Sequence, residues 1–447
     1  MKKGLIVIIL FMFAVPAVFG TIITNTNQSV MWVRLPARNA STLLDAVYYN
    51  PAGVMQLENG FHLSIQNQSL WQEKTIINGF PLLNNDTYVG EAKAPIFPSI
   101  FAVYKKDKFA LSFGFGINAG GGSADFATGL PSFEIPISLV PAMLSGMGIP
   151  TTQYSADINF SGISFFLGFQ GNISYAISDA VAVAAGVRYI YAINSYEGTL
   201  ENIQINPMHP LLNPSGGMMS AEQFFTYAGM PGTAAMLADA EVDVQQTGSG
   251  ITPILSMNLK PSDNLNIGIR YEFNTKLELT NDSAVDDTGQ FPDGFTFRND
   301  IPAILSFGIE YTVMPKLRLM ISLNTFFDKS ANWDGAEDLI DSNSYDMGVG
   351  FEYDITETFL ISAGYLYTNV GVKDTYQGDF THELDSNTIG FGGRIMMTPK
   401  ISLDIGGLYV TYTEADRSWQ RNDFPHAFKE TYQRSSWGLS IGIGFHL

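Results

Sequence analysis

Cysteine is absent from the 447 residues. That excludes disulfides, thiolate metal sites and a lipid-modified cysteine as ways of holding or anchoring the chain. Cations are scarce as well: 24 lysines and arginines stand against 43 aspartates and glutamates, a net charge of −19. Such a balance argues against nucleic acid as a partner. Beyond the N-terminus, no apolar run reaches the roughly 20 residues that a membrane-crossing helix needs. No layer of helices is evident that could cover the apolar face of a sheet. Nothing in the residues calls for a cofactor or a metal.

What is present begins with Lys2 and Lys3, followed by an apolar run from Leu5 to Phe19 broken by Pro16 and closed by Gly20. This is the pattern of a secretory signal peptide. Residues 1–20 are read as that leader, Thr21 as the mature start, and the mature chain as exported. The rest is dominated by alternation of period two. Trp437, Leu439, Ile441, Ile443, Phe445 and Leu447 alternate with Gly438, Ser440, Gly442, Gly444 and His446. Leu265, Ile267, Ile269, Tyr271 and Phe273 alternate with Asn266, Gly268, Arg270, Glu272 and Asn274 in the same way. Period two places each set on one face of a strand. With no second layer to bury the apolar face, lipid is its natural partner. The expected fold is an all-β transmembrane antiparallel barrel, one domain despite its length.

Connections fall into two kinds. Tight turns are read at Lys105-Lys106-Asp107, Ser178-Asp179, Pro261-Ser262-Asp263, Met314-Pro315-Lys316, 354–357 and Thr398-Pro399-Lys400. Long connections are read at about 71–95, 119–154, 198–240, 281–293, 329–343, 373–383 and 414–431. Seven long and six short connections join about 14 strands, with short turns on the periplasmic side and long loops outside. The face opposite the lipid carries Arg188, Arg270, Glu272, Glu310, Arg318, Glu352, Arg394 and Asp404. They are read as structural ion pairs. The sharper alternative is that Arg188, Arg270 or Arg394 meets an anionic ligand.

Residues 21–59 lack strand alternation. Ser41 or Thr42 is placed to cap a short helix, and Asn50-Pro51-Ala52-Gly53 reads as a rigid turn. A barrel of this size has a bore wide enough to leak, and this segment is long enough to plug it. The run 37–64, with its Asn50-Pro51-Ala52 turn between small and aromatic residues and a glycine before the first strand, resembles the N-terminal hatch of the FadL/TodX transporters. The resemblance implies a hatch at 21–59 inside a barrel at 60–447, in the outer membrane of a Gram-negative-type cell. It implies passive uptake of long-chain fatty acids or other hydrophobic compounds by a monomer in contact with outer-membrane lipids. It also implies capture of the ligand on apolar loops, a binding pocket in the barrel, and lateral release beside a kinked third strand. Gly114, Gly116 and Gly120 are the candidates for that kink. The loops 130–149, with Phe133, Leu139 and Met143, and 217–237, with Phe224 and Phe225, are apolar and rich in methionine. They suit an adaptable groove, or a lid formed by packing on each other. Two features depart from the family pattern: the last residue is Leu447 rather than phenylalanine, and 21–35 is a poor match to the hatch start.

Two rival classes remain. A hydrolase would need a nucleophile paired with a histidine, for which His62, Ser64 and His446 are the available residues, without a nucleophile motif. A general porin would need an unplugged bore.

Overall fold

The computed structural model describes residues 24–421 and 424–447. The signal peptide and the Thr21 start lie outside them. The chain forms one closed antiparallel barrel of fourteen staves. They are β1 Gly60–Asn78, β2 Thr87–Lys106, β3 Phe109–Phe126, β4 Tyr154–Ser178, β5 Val181–Ile205 and β6 Ala240–Ser262. Next come β7, made of Leu265–Glu272 and Glu278–Asp286, and β8, made of Thr296–Arg298 and Ile304–Met314. The rest are β9 Leu317–Phe326, β10 Tyr345–Asp354, β11 Phe359–Asn369, β12 Ser386–Thr398, β13 Ile401–Tyr412 with its continuation Ala415–Trp419, and β14 Phe428–His446. A two-residue strand, Met219–Ser220, adds to the outer end of β5. The barrel closes where β14 pairs with β1, in unbroken register from His62↔His446 to Asn78↔Glu430.

The alternation seen in the sequence is the alternation of the wall. Leu439 and Ile441 face outward, 55% and 53% exposed, while Ser440 and Gly442 are buried within. Phe109, Leu111, Ile389 and Phe391 belong to the same exposed belt. Apolar surface carried around a whole barrel is the signature of a lipid-facing exterior. Across the seam Trp71 stacks on Trp437, with ring centroids 4.1 Å apart.

Several staves run further than the alternation suggests. The connection expected at 71–95 shrinks to 79–86, because β1 continues to Asn78 and β2 starts at Thr87. Beyond the apolar belt the outward positions turn polar, as at Glu73, Asp157 and Asn159. The ladder persists there while the hydrophobic signal stops.

One stretch of the wall lacks ladder pairs although its side chains pack together. Lys93 pairs with Ser123 and Ile100 with Phe115, and between these points β2 and β3 do not pair. Pro95 and Pro98 fall in this stretch and have no N–H to donate. Its remaining polar groups turn to β1: Ser69 Oγ donates to Pro95 O at 2.8 Å, and Phe97 N to Asn67 Oδ1 at 3.0 Å. Beyond this unpaired stretch, β3 shifts register against β4 twice, between Ile117 and Ala119 and between Gly120 and Gly122. Gly120 has φ +66°, a conformation that favours glycine.

Inside the barrel lies the N-terminal segment. It contains α1 Val30–Arg34, α2 Ala46–Tyr49 and a 3-10 turn Pro51–Gln56, with α1 and α2 wholly buried. Neither Ser41 nor Thr42 caps a helix. Ser29 caps α1 by accepting from Trp32 N at 3.0 Å, and α2 starts at Asp45 without a side-chain cap. Ser41 Oγ instead donates to Asp45 Oδ1 at 2.6 Å, because Asp45 is committed to Arg38.

Candidate functional site

The Asn50-Pro51-Ala52-Gly53 turn is built into the wall. Asn50 Nδ2 donates to Ser41 O at 3.1 Å and to Asn258 Oδ1 at 2.7 Å, while Asn50 Oδ1 accepts from Ser256 Oγ at 3.2 Å. Ser174 Oγ donates to Pro51 O at 2.8 Å, and Ala52 N to Ser256 Oγ at 3.2 Å. A side chain on Gly53 would meet Asn50 Nδ2 and Ser41 O, each 2.4 Å from its Cβ. Asparagine suits this place because its short amide offers both a donor and an acceptor.

Ion pairs fix the rest of the segment. Arg38 Nε lies 2.8 Å from Asp45 Oδ2, and Arg34 Nη2 lies 2.8 Å from Glu352 Oε1, all nearly devoid of solvent. Backbone meets backbone where the wall carries glycine: a Cβ on Gly268 would lie 2.1 Å from Asn39 O, and one on Gly308 2.5 Å from Ala40 N.

The three candidate ligand arginines lie at this level. Arg188 and Arg270 share Glu272 at 2.7 and 3.2 Å, and their guanidinium groups flank the Tyr48 ring at 4.6 and 4.8 Å. Arg394 pairs with Asp404 at 3.0 Å. None of the three borders the main cavity.

That cavity, about 610 Å³, lies between the N-terminal segment and the long loops. Asn25, Asn27 and Trp32 form its floor. Leu70, Phe97, Phe126, Phe160, Phe166 and Tyr196 make an apolar wall, and Ser344, Asp346, Thr368, Ser386 and Thr388 a polar one. Lys74, Glu383 and Arg434 form a charged corner. Ala94, Gly120 and Gly122 carry the lining to the unpaired stretch of β2 and β3. The start of the N-terminal segment meets β3 there: Asn25 N donates to Asn118 O at 2.8 Å and Gln28 Nε2 to Ile117 O at 2.7 Å. Of the three candidate glycines, Gly120 lies at the register shifts of β3 against β4. Gly116 faces Gln28, whose Oε1 would be 2.6 Å from an added Cβ, and Gly114 faces Val47.

The long loops close the other end. Helices α3 Pro131–Gly146, α4 Ala221–Tyr227 and α5 Pro231–Met236 pack together through Ile137, Val140, Leu144, Phe224, Phe225 and Ala234. Phe224 and Phe225 are fully buried in that cluster, with Met143 against it. Leu139 packs elsewhere, near Phe80 and Phe428. Phe133 lies against Phe160 and Phe380, with centroids 5.7 and 5.4 Å away.

The connection read at 373–383 spans 370–385 between β11 and β12, and its Phe380, Glu383 and Leu384 border the cavity. Asp379 Oδ2 accepts from Ser132 N at 2.8 Å at the start of α3. Burial raises the Asp379 carboxyl above its ordinary value, offset in part by hydrogen bonds from Ser132. Burial pushes the His382 imidazole well down, and the nearby Arg434 and Lys74 push it the same way. No local pattern marks these residues, because their partners lie far away in the chain.

His62 and His446 do meet across the seam, Nδ1 to Nδ1 at 3.0 Å, and His62 Nε2 contacts Glu58 O at 2.9 Å. Ser64 Oγ accepts instead from Gln66 Nε2 at 2.7 Å. The imidazoles thus join two strands rather than serve Ser64.

A closed fourteen-strand barrel crossed by its own N-terminal segment defines a class, the plugged β-barrel. Solved structures of this class share the fold over nearly the whole chain. A FadL homologue of Pseudomonas aeruginosa superposes with a TM-score of 0.66 at 14% identity, over 96% of this chain and 99% of that one. The toluene transporter TbuX of Ralstonia pickettii gives 0.56 at 15% identity, over 91% and 94%. The toluene transporter TodX of Pseudomonas putida gives 0.56 at 13% identity, over 91% and 95%. The chain therefore has the FadL/TodX-type fold. No family model matches the sequence, and no curated protein matches it.

Proposed function

We propose that this chain is an outer-membrane channel for passive uptake of hydrophobic molecules, with residues 21–59 as its hatch. One observation carries the reading: a largely apolar cavity runs to a break in the barrel wall, and the start of the N-terminal segment is bonded to the edge of that break. An apolar solute gains about 0.8 kcal/mol for each methylene it buries. It has no reason to leave such a pocket for water. A sideways exit at β2–β3 would hand it to lipid instead, and the exposed belt supplies the lipid contact. Long-chain fatty acids are the proposed cargo, and the lid of α3, α4 and α5 the place of first contact. A cavity of about 610 Å³ is in the range that encloses one small-molecule ligand.

A general porin is disfavoured by the same segment, which crosses the bore on buried ion pairs. Two measurements test the proposal. In planar bilayers the protein should show a closed or flickering baseline; a large steady current would support a porin. Cells making wild type should take up a labelled long-chain fatty acid faster than cells making Asn50→Ala/Pro51→Ala. Equal uptake by both would remove the hatch role.

A further inference from the structure

Two of the chain's five histidines meet at the closing seam, and nothing in the uptake route uses them. His62 lies near the start of β1 and His446 at the end of β14, as direct register partners at the short-turn end of the barrel. Their hydrogens follow from their partners. A carbonyl only accepts, so the 2.9 Å contact to Glu58 O puts a hydrogen on His62 Nε2. The neutral ring then carries its lone pair on Nδ1. That lone pair faces His446 Nδ1 at 3.0 Å. His62 is 3% exposed, so packing and the Glu58 bond together fix where it points. A ring held by a carbonyl on its far nitrogen is the usual support of a metal-binding imidazole.

His446 has only to move its hydrogen from Nδ1 to Nε2 to aim a second lone pair at the same point, with no net release of a proton. A metal–nitrogen bond is about 2.0–2.1 Å long. Two nitrogens 3.0 Å apart therefore subtend about 95° at an ion between them, close to the roughly 90° of a tetragonal ion and short of the roughly 109° of a tetrahedral one. Among the described residues no three metal-binding side chains gather in one place, so water fills the other positions. Glu58 and Asp404 bring negative charge to His446 and Arg394 brings positive. Asp404 and Arg394 are already paired at 3.0 Å, which leaves the charge of Glu58. Glu58 is exposed and His446 half-buried, an approach from solvent. We propose that His62 and His446 form a site for a tetragonal divalent ion, Cu2+ or Ni2+, bound through both Nδ1 atoms. The ion clasps the first stave to the last. The two halves of the site lie 384 residues apart and come together only in the closed barrel, so binding stabilises closure. The site is independent of the cargo.

The test uses the full chain in detergent, free of any histidine tag and stripped with a chelator. Cu2+ should bind at one equivalent, with an electron paramagnetic resonance spectrum showing two equatorial nitrogens, and should raise the unfolding midpoint. Zn2+ should bind more weakly. His62→Ala and His446→Ala should each weaken Cu2+ at least about tenfold, the cost that even an outer-shell partner carries. Each should lose the two-nitrogen spectrum and the midpoint shift while keeping wild-type β content by circular dichroism. His446→Gln replaces His446→Ala if alanine disturbs the seam. His209→Ala and His426→Ala should bind Cu2+ as wild type does. An oxygen-only spectrum in wild type, of the kind surface carboxylates give, would overturn the site. So would a two-nitrogen spectrum that survives in the His446 variants. Two-nitrogen binding that leaves the midpoint unmoved would overturn the clasp.

Discussion

Gln28 Nε2 donates to the carbonyl of Ile117, 2.7 Å away, at the point where β3 has lost its neighbour β2. The same amide nitrogen also donates to Asn25 O at 3.1 Å. One side chain thus ties residues 25–28 of the N-terminal segment to the unpaired stretch of β3.

Gln28→Ala should release that beginning. A buried hydrogen bond contributes about 1 kcal/mol, so the released state should be populated roughly 5- to 10-fold more. Expected results are more frequent current transitions in planar bilayers and faster fatty-acid uptake, with an unchanged thermal midpoint for the barrel. Slower uptake would mean that Gln28 holds a productive arrangement rather than a closed one.

Ala94 lies 5% exposed beside Phe97 and Ile117, where the cavity reaches the unpaired stretch of β2 and β3. Ala94→Trp should fill that mouth. Uptake should fall about tenfold or more while dodecanol still binds in the cavity, since the ring obstructs exit and not entry. Unchanged uptake, measured with surface expression matched, would show that cargo leaves by another route.

Gly308 carries the backbone of Ala40 so closely that a Cβ would sit 2.5 Å from its nitrogen. Gly308→Val should force the segment off the wall, at a cost of about 1–3 kcal/mol. The variant should unfold at lower temperature in detergent and leak ions, with its β content intact. A wild-type midpoint together with a silent bilayer would contradict this close approach.

Asp379 gives the lid a pH dependence of defined sign. Burial raises its carboxyl, so the charged form is the costly one in the folded loop. The stabilisation is therefore full at acid pH and declines as pH rises through the folded value. Arg417 faces it with opposite charge, and Glu430, Tyr432 and Tyr88 face it from β14 and β2. The protection of α3 amides, taken relative to their intrinsic exchange rate at each pH, should fall from acid to neutral pH in wild type. In Asp379→Asn, whose side-chain oxygen still accepts from Ser132, protection should stay constant across that range. Constant protection in wild type would remove the argument.

Much of the wall was legible because lipid imposes a period of two. Leu439 and Ile441 against Gly438 and Gly442 already state which face is which, and turns such as Pro261-Ser262-Asp263 state where the chain reverses. The Asn50 turn was legible as a rigid feature, but its wall partners Ser174, Ser256 and Asn258 were not, since such contacts join residues more than a hundred apart. Pro95 was visible and misplaced: it closed an expected loop at 71–95, whereas it lies with Pro98 inside a stave that is interrupted on one side only. Arg188, Arg270 and Arg394 showed an inward face but not which neighbours already satisfied them. Lys74 and Arg434 carry no local signal at all. They stand near opposite ends of the chain, and only the register of the closing seam brings them face to face.

The glycine contacts under residues 33–40 have a mechanical consequence. Where a ribbon of chain rests bare on its support and is pinned by Arg34 and Arg38, it cannot slide along the bore as a piston would. The stretch 24–28 is held instead by a few amides, and it is the part that the proposed release would move. On the proposed uptake reading the middle is a fixed bulkhead, and cargo has only to lift a short flap at its edge.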